Sequence, residues 1–442
     1  MNLKRFAMTL LVRRSWYLEY ARKKQAAASA KRKAAGNRRK VYYYHQVTMP
    51  HASLTAQVLA DLSSAYDVDI VQRLCWAPDA GMIAQHYEDK FYPFMRKDAA
   101  DIAPFYDLEF TNIGRQPSDE LALQGSRLLA GVIDTPAFLT LAPKVNAAVW
   151  KEDGAALEAL AEAHTPLGEA ATRALMNEHE TERLNFGYVY GGAFYFEAEW
   201  YFGPDRMNYL EERLAADGAR SDGGAEPIVK RPEIQGLKPA RAEQVTLEMF
   251  ASVRSPYTHA AFRRVFDIAE TTGCKLVGRP VRPILMRFEK PSARLCQARY
   301  VYYDAAREAE RYKVPQEKYY EMAYGPTERI YSLYHWAEGQ GKGLELLYSF
   351  TLATFAEGLD AGQDPTLKHV VERLGLSWEE AKAILGNDDW FPGIKENEDI
   401  MLGEGLWGVP SFRVVGPDGQ SFSTWGADRL WLLEAKIAEF AG

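Results

Sequence analysis

Four consecutive positions, Ser255-Pro256-Tyr257-Thr258, carry the clearest chemical signal in the chain. Before them Val245, Leu247, Met249 and Ala251 alternate as the side chains of a buried strand do. Serine is a favoured helix N-cap, and proline fits the first helical turn because its missing N–H would have no partner there. A helix that starts at this point aims unpaired backbone N–H groups and the positive end of its dipole at whatever lies beside Ser255. Such a corner suits an anion. None of the four positions carries sulfur, so the corner has no dithiol of its own, but the Ser255 hydroxyl can hold a thiolate that belongs to another molecule.

The surrounding chain has 442 residues, 47% hydrophobic and 26% charged, which is ordinary for a globular protein of two or three domains. Cys75, Cys274 and Cys296 show no close-pair spacing. That argues against a disulfide scaffold, a zinc site and a dithiol redox centre, and it fits a reducing, cytoplasmic compartment. No apolar run of about 18 residues is present, so no membrane-spanning helix is expected. Nor does the sequence hold a Gly-rich phosphate loop, a His-Glu metal helix or a serine-hydrolase elbow.

Residues 1–40 differ from the rest. They hold thirteen Lys or Arg against the single acid Glu19, a net +12 that leaves −19 on the other 402 residues of a chain whose total is −7. The short apolar stretch from Phe6 is interrupted by Arg13-Arg14, so it does not make a secretory signal. Leu3, Phe6, Leu10 and Tyr17 fall on one face of an Ala/Lys/Arg-rich helical arm. Three readings stay open for it: a solvated tail, a peripheral contact with an anionic membrane surface on the cytoplasmic side, or a handle for an acidic partner or nucleic acid.

The chain from residue 41 echoes itself. At an offset of 206 positions, Val47 meets Val253, Pro50 meets Pro256, Asp61 meets Asp267 and Arg73 meets Arg279. Asp98-Ala99-Ala100 then meets Asp304-Ala305-Ala306, and Tyr106 meets Tyr312. Near the two ends, Gly203-Pro204-Asp205-Arg206 with Leu210-Glu211 matches Gly426-Ala427-Asp428-Arg429 with Leu433-Glu434 at an offset of 223. Ordered matches of this kind predict a tandem duplication. Each half reads as strand, helix, strand, a long helical stretch, a hairpin and a last helix. The hairpins are expected at 193–196 with 199–202 and at 411–415 with 421–425, the second around Gly416-Pro417-Asp418-Gly419. The predicted organisation is an arm over 1–40, a first domain over 41–214, a Gly/Pro-containing linker over 215–244 and a second domain over 245–442, the halves forming an intramolecular pseudo-dimer.

Three motifs in order, Ser255-Pro256-Tyr257, Gly408-Val409-Pro410-Ser411-Phe412 and Trp425-Gly426-Ala427-Asp428-Arg429-Leu430, resemble those of 2-hydroxychromene-2-carboxylate isomerases and kappa-class glutathione transferases. These are glutathione-using members of the DsbA-like thioredoxin superfamily. The resemblance is clear from about residue 245 onward and implies an α/β fold of two tandem thioredoxin-like domains, each with a helical insertion. It implies glutathione as the bound thiol, Ser255 as the group that steadies its sulfur, and Pro256 and Tyr257 beside it. Val409 would offer its backbone to the cysteinyl part of the ligand. Pro410 in the cis form would remove a donor next to it, and Asp428 would take the free α-amino group. The implied reaction is isomerisation or transfer on a conjugated or aromatic small molecule, the thiolate adding to an enone and leaving again after rotation, with no redox change. This sequence departs from the family at 288–297: Gln297 replaces an expected lysine, and Lys290 or Arg294 would have to meet the glycyl carboxylate. Ala427 stands where a small hydroxyl side chain is usual.

The first half offers less. Met49-Pro50-His51-Ala52 occupies its helix-start corner, and Tyr190-Gly191-Gly192-Ala193 stands in place of Gly-Val-Pro-Ser. A thioether donates no hydrogen bond, so this half is expected to be catalytically silent, and His45, His51 and His259 to be structural. Tyr319, Tyr320, Tyr324, Tyr331 and Tyr334 form an aromatic stripe expected in a core or lid. The competing reading of the whole chain is a catalytically degenerate thioredoxin-fold scaffold or binding protein.

Overall fold

A computed structural model describes residues 3–15, 17–78, 87–188, 190–287 and 295–442, with only the backbone of 3–5, 15, 88 and 295–297. It contains two four-stranded sheets. The first joins β1 (Lys40–His45), β2 (Asp69–Leu74), β3 (Ala193–Phe196) and β4 (Glu199–Phe202) in the order β2-β1-β3-β4. The second joins β5 (Thr246–Ala251), β6 (Lys275–Pro280), β7 (Ser411–Val415) and β8 (Ser421–Trp425) in the order β6-β5-β7-β8. In each sheet the first two strands are parallel, and the hairpin adds two antiparallel strands. Both hairpins form where the sequence places them. Glu197 and Ala198 take positive φ, at 43° and 70°, in the tight first turn.

The chain falls into two compact units, one formed by residues up to 20 with nearly all from 233 onward, the other by 21–232. In the unit from 233 onward, Leu247, Met249 and Ala251 of β5 are fully buried. They meet Phe262, Val265 and Ile268 of the Pro256–Thr272 helix and Leu430, Leu433 and Ile437 of the final Leu430–Ala441 helix in one core. The apolar period of each helix sets the buried face. Tyr319, Tyr331 and Tyr334 of the aromatic stripe are core side chains, whereas Tyr324 is 56% exposed.

The arm expected to stand apart over 1–40 is divided between the units. Val12 of the Leu3–Ser15 helix is buried in the core just described, a burial worth roughly 1.5–3 kcal/mol. Thr9 Oγ1 accepts a hydrogen bond from the Glu321 N–H at 3.0 Å, and Arg13 donates to the carbonyls of Tyr319 at 2.6 Å and Gly358 at 3.0 Å. In the other unit Arg32 of the Leu18–Ala34 helix pairs with Glu197 at 2.6 Å, and Arg39 with Asp217 at 2.7 Å. Acids far along the chain draw in bases that look solvated in the sequence.

The linker is also tied down, by the same device twice. Glu211, buried, accepts from the N–H groups of Ile228 and Val229 at 2.7 and 3.0 Å. Glu434, equally buried, accepts from those of Gln235, Gly236 and Leu237 at 2.5, 2.7 and 2.9 Å. These two glutamates are the pair matched at the offset of 223. One difference between the halves is local. The helix expected in one piece from about residue 53 is two, Pro50–Ala56 and Leu59–Ala65, and Gln57 at the break donates to the carbonyls of Ser53 and Glu109.

Candidate functional site

Ser255 takes up the N-cap position of the 17-residue Pro256–Thr272 helix in extended backbone conformation, with Pro256 at the first turn. Its Oγ accepts from the Thr258 N–H at 3.2 Å, which satisfies one of the donors a helix start leaves open. The same hydroxyl donates to the carbonyl of Val409 at 3.2 Å, across 154 residues of sequence. Ser255 and Val409 are both half-buried, while Pro256, Thr258 and Pro410 are buried. The Val409-Pro410 peptide is cis. The structure thus brings the Ser255 hydroxyl to the Val409 carbonyl, next to Pro410.

The surrounding turn explains why those residue types stand there. Any side chain at Gly408 would run into the Trp425 ring, and Ser411 Oγ fixes the Gly408 carbonyl at 2.8 Å. Trp407 packs its ring 4.8 Å from that of Trp425. Pro410 O accepts from the Gly426 N–H at 3.0 Å, which carries the loop with Asp428 to the same end of the sheet. The Asp428 carboxylate, 18% exposed, lies 3.6 Å from the Arg429 guanidinium. The Tyr257 hydroxyl donates to Asp304 at 2.7 Å, and Asp304 also pairs with Arg307. Lys290 and Arg294 lie outside the described residues, as does the side chain of Gln297.

No spacing or motif points to the side chain that braces the corner. Arg254, directly before Ser255, makes two parallel bonds to Glu321, Nε to Oε1 at 2.7 Å and Nη2 to Oε2 at 2.8 Å. Burial pushes the Glu321 carboxyl up, but the charge and hydrogen bonds of Arg254, with a bond from the Ala323 N–H, hold it below its ordinary range. The partners are 67 residues apart, with no spacing to betray them. Val253, one position earlier, has its N–H 3.5 Å from the hydroxyl of Tyr331.

The corresponding corner of the other unit is filled. Met49 precedes the Pro50–Ala56 helix with no side-chain cap and is fully buried. His51 is buried too, its Nε2 2.9 Å from the Asp98 carboxylate. His45 sits between Tyr43 and Asn146, and His259 between Thr351 and the Pro315 carbonyl. Burial pushes both imidazoles down to about 4, so they are neutral core residues at neutral pH. Cys75 and Cys274 are free and buried, and burial pushes the Cys75 thiol up to about 11. Among the described residues no cluster of three or more His, Cys, Asp or Glu could hold a metal, and no helix is long and apolar enough to cross a membrane.

Residues 246–438 match the family of DSBA-like thioredoxin domains. Among solved structures, 2-hydroxychromene-2-carboxylate isomerase is similar at 19% identity over 44% of this chain and 95% of that one, with a TM-score of 0.37. A probable DsbA oxidoreductase from Streptomyces coelicolor is similar at 17% identity over 44% and 89%, TM-score 0.33. The cytosolic disulfide reductase DsbM from Pseudomonas aeruginosa is similar at 17% over 44% and 96%, TM-score 0.32. Among curated proteins, none matches the sequence of this chain.

Proposed function

We propose, from the premise that the C-terminal half carries a DSBA-like thioredoxin domain, that the chain is a glutathione-dependent isomerase or transferase for a conjugated or aromatic small molecule. The observation that carries this reading is the Ser255 hydroxyl, placed at a helix start and shared between the Thr258 N–H and the Val409 carbonyl. A thiolate at that helix start would draw the hydroxyl proton to itself and release the Val409 carbonyl for a peptide N–H. The two groups assigned to the ligand are thus exchanged against each other by its arrival. Glutathione would supply the nucleophilic sulfur that the corner lacks. Ser255 and the helix dipole would hold it ionised, Val409 would align its backbone, and Asp428 would face its amino group from the neighbouring loop. No electrons change hands, in keeping with a corner of Ser, Pro, Tyr and Thr.

The first half enters the proposal as a second, silent copy of the same domain. Several features support a duplication beyond the sequence echo: the shared strand order, and the Gly203 N–H bonded to Gly192 O as Gly426 is to Pro410. The helix-start side chains His51 and Tyr257 each reach an aspartate of the matched pair, and the glutamates matched in the last helices each hold part of the linker. The buried free thiols Cys75 and Cys274 suit a reducing, cytoplasmic setting.

Thermal unfolding with glutathione tests the reading. Wild type should rise in midpoint by several degrees at millimolar glutathione, and Ser255→Ala should lose most of that rise. An unchanged wild-type midpoint would remove the enzyme reading and leave a scaffold.

A further inference from the structure

Tyr324 is the most exposed large hydrophobic side chain among the described residues, at 56%, and its backbone stands at φ 61°, ψ −123°. That conformation belongs to the first central residue of a mirror-image turn, a place glycine fills without cost and a bulky side chain does not. Its neighbours hold it there. Glu321 Oε1 accepts from the N–H groups of Met322 at 3.0 Å and Ala323 at 2.9 Å, Thr327 Oγ1 donates to Met322 O at 2.6 Å, and the Thr327 N–H donates to Tyr324 O at 2.7 Å. Met322, Ala323 and Pro326 are buried on either side. The fold therefore enforces an unfavourable backbone for a tyrosine that it leaves more than half exposed.

The place is as informative as the strain. The Glu321 carboxylate that caps Met322 and Ala323 is the one that grips Arg254 beside Ser255, and Tyr331, at the end of the Gly325–Tyr331 helix, reaches the Val253 N–H. Residues 321–331 are thus fastened at both ends to the two residues that precede the thiolate corner. We propose that Tyr324 is the specificity-determining residue of this site, its ring covering the flat aromatic part of the substrate whose reacting atom lies at Ser255. The inference rests on the reading of Ser255 as a thiolate site and adds the surface that selects an aromatic partner.

Two measurements on the full chain test it. The first is thermal unfolding without ligand. Tyr324→Gly should melt a few degrees above wild type because it relieves the backbone, and Tyr324→Ala, which keeps a Cβ, should not. A Gly variant no more stable than wild type overturns the inference. The second is calorimetric binding of two probes, glutathione and S-(2,4-dinitrophenyl)glutathione. Wild type and Tyr324→Phe should bind the dinitrophenyl conjugate about fivefold to tenfold more tightly than glutathione, as one aromatic stack provides, and Tyr324→Gly should lose that preference with its glutathione affinity unchanged. An equal preference in wild type and Tyr324→Gly, or an equal loss for both probes, overturns the inference alone. Failure of wild type to bind either probe overturns the thiolate site together with it.

Discussion

The two helix-start corners, 49–52 and 255–258, share a frame and differ in what fills it. In both a proline opens the helix, the following side chain reaches an aspartate of the matched pair, and a glycine N–H after the hairpin bonds to the loop that faces the corner. At the first corner Met49 and His51 are buried, and Gly192, at φ 77°, lies so close that a Cβ on it would come 2.8 Å from the Ala52 nitrogen. At the second, Pro410 takes the place of Gly192, and the half-buried Ser255 and Val409 meet by a single hydrogen bond. A thioether stands against a hydroxyl, and a glycine against a proline, and the hydroxyl is the less buried of the two helix-start side chains. The two corners thus differ in how they are packed, while the strand order around them is the same.

The widest split between the corners should appear on truncation. Met49→Ala removes a fully buried side chain and should cost about 2–5 kcal/mol in denaturant unfolding, with the response to glutathione intact. A loss of that response would break the contrast. Acid should act on both halves alike. His45 and His259 ordinarily titrate near 6.5 and are pushed down to about 4 by burial, so the folded chain keeps them neutral while the unfolded chain takes up protons below about pH 6.5. Their contribution is whole above that pH and drains as pH falls toward about 4, by about 3 kcal/mol for each. Hydrogen exchange read separately in β1 and in the Pro256–Thr272 helix checks this, and a response in one half alone would contradict it. The smallest change is expected for Ser255→Ala, about 1 kcal/mol for a lost cap. A cost several times larger would recast Ser255 as a core residue like Met49.

Much of this was legible in the sequence. The alternation through Leu247, Met249 and Ala251, the Gly416-Pro417-Asp418-Gly419 turn and the Ser255-Pro256 start are local signals, and the elements formed where they lie. What stayed hidden depends on partners distant in sequence. No Gly or Pro marks the break at Gln57, which the Glu109 carbonyl accommodates from 52 residues away. Arg254 is one cation among many until the fold brings Glu321 to it, and the anchoring of the basic arm was not legible because Glu197, Asp217 and the pocket for Val12 are all far along the chain. Tyr324 was read within a stripe of tyrosines expected in a core or lid. Its exposure follows from a turn that the stripe's spacing does not encode.

The burial of Val12 among strands and helices that begin at residue 246 bears on how this protein is made and cut. A segment made early in synthesis waits for a stretch made much later. Closing so long a loop costs little more than closing a short one, because the entropy grows only with the logarithm of length, but it postpones completion of that core until the later stretch has been made. A fragment trimmed to the family match at 246–438 would lack Thr9, Val12 and Arg13, and would carry an uncovered apolar notch where that helix belongs.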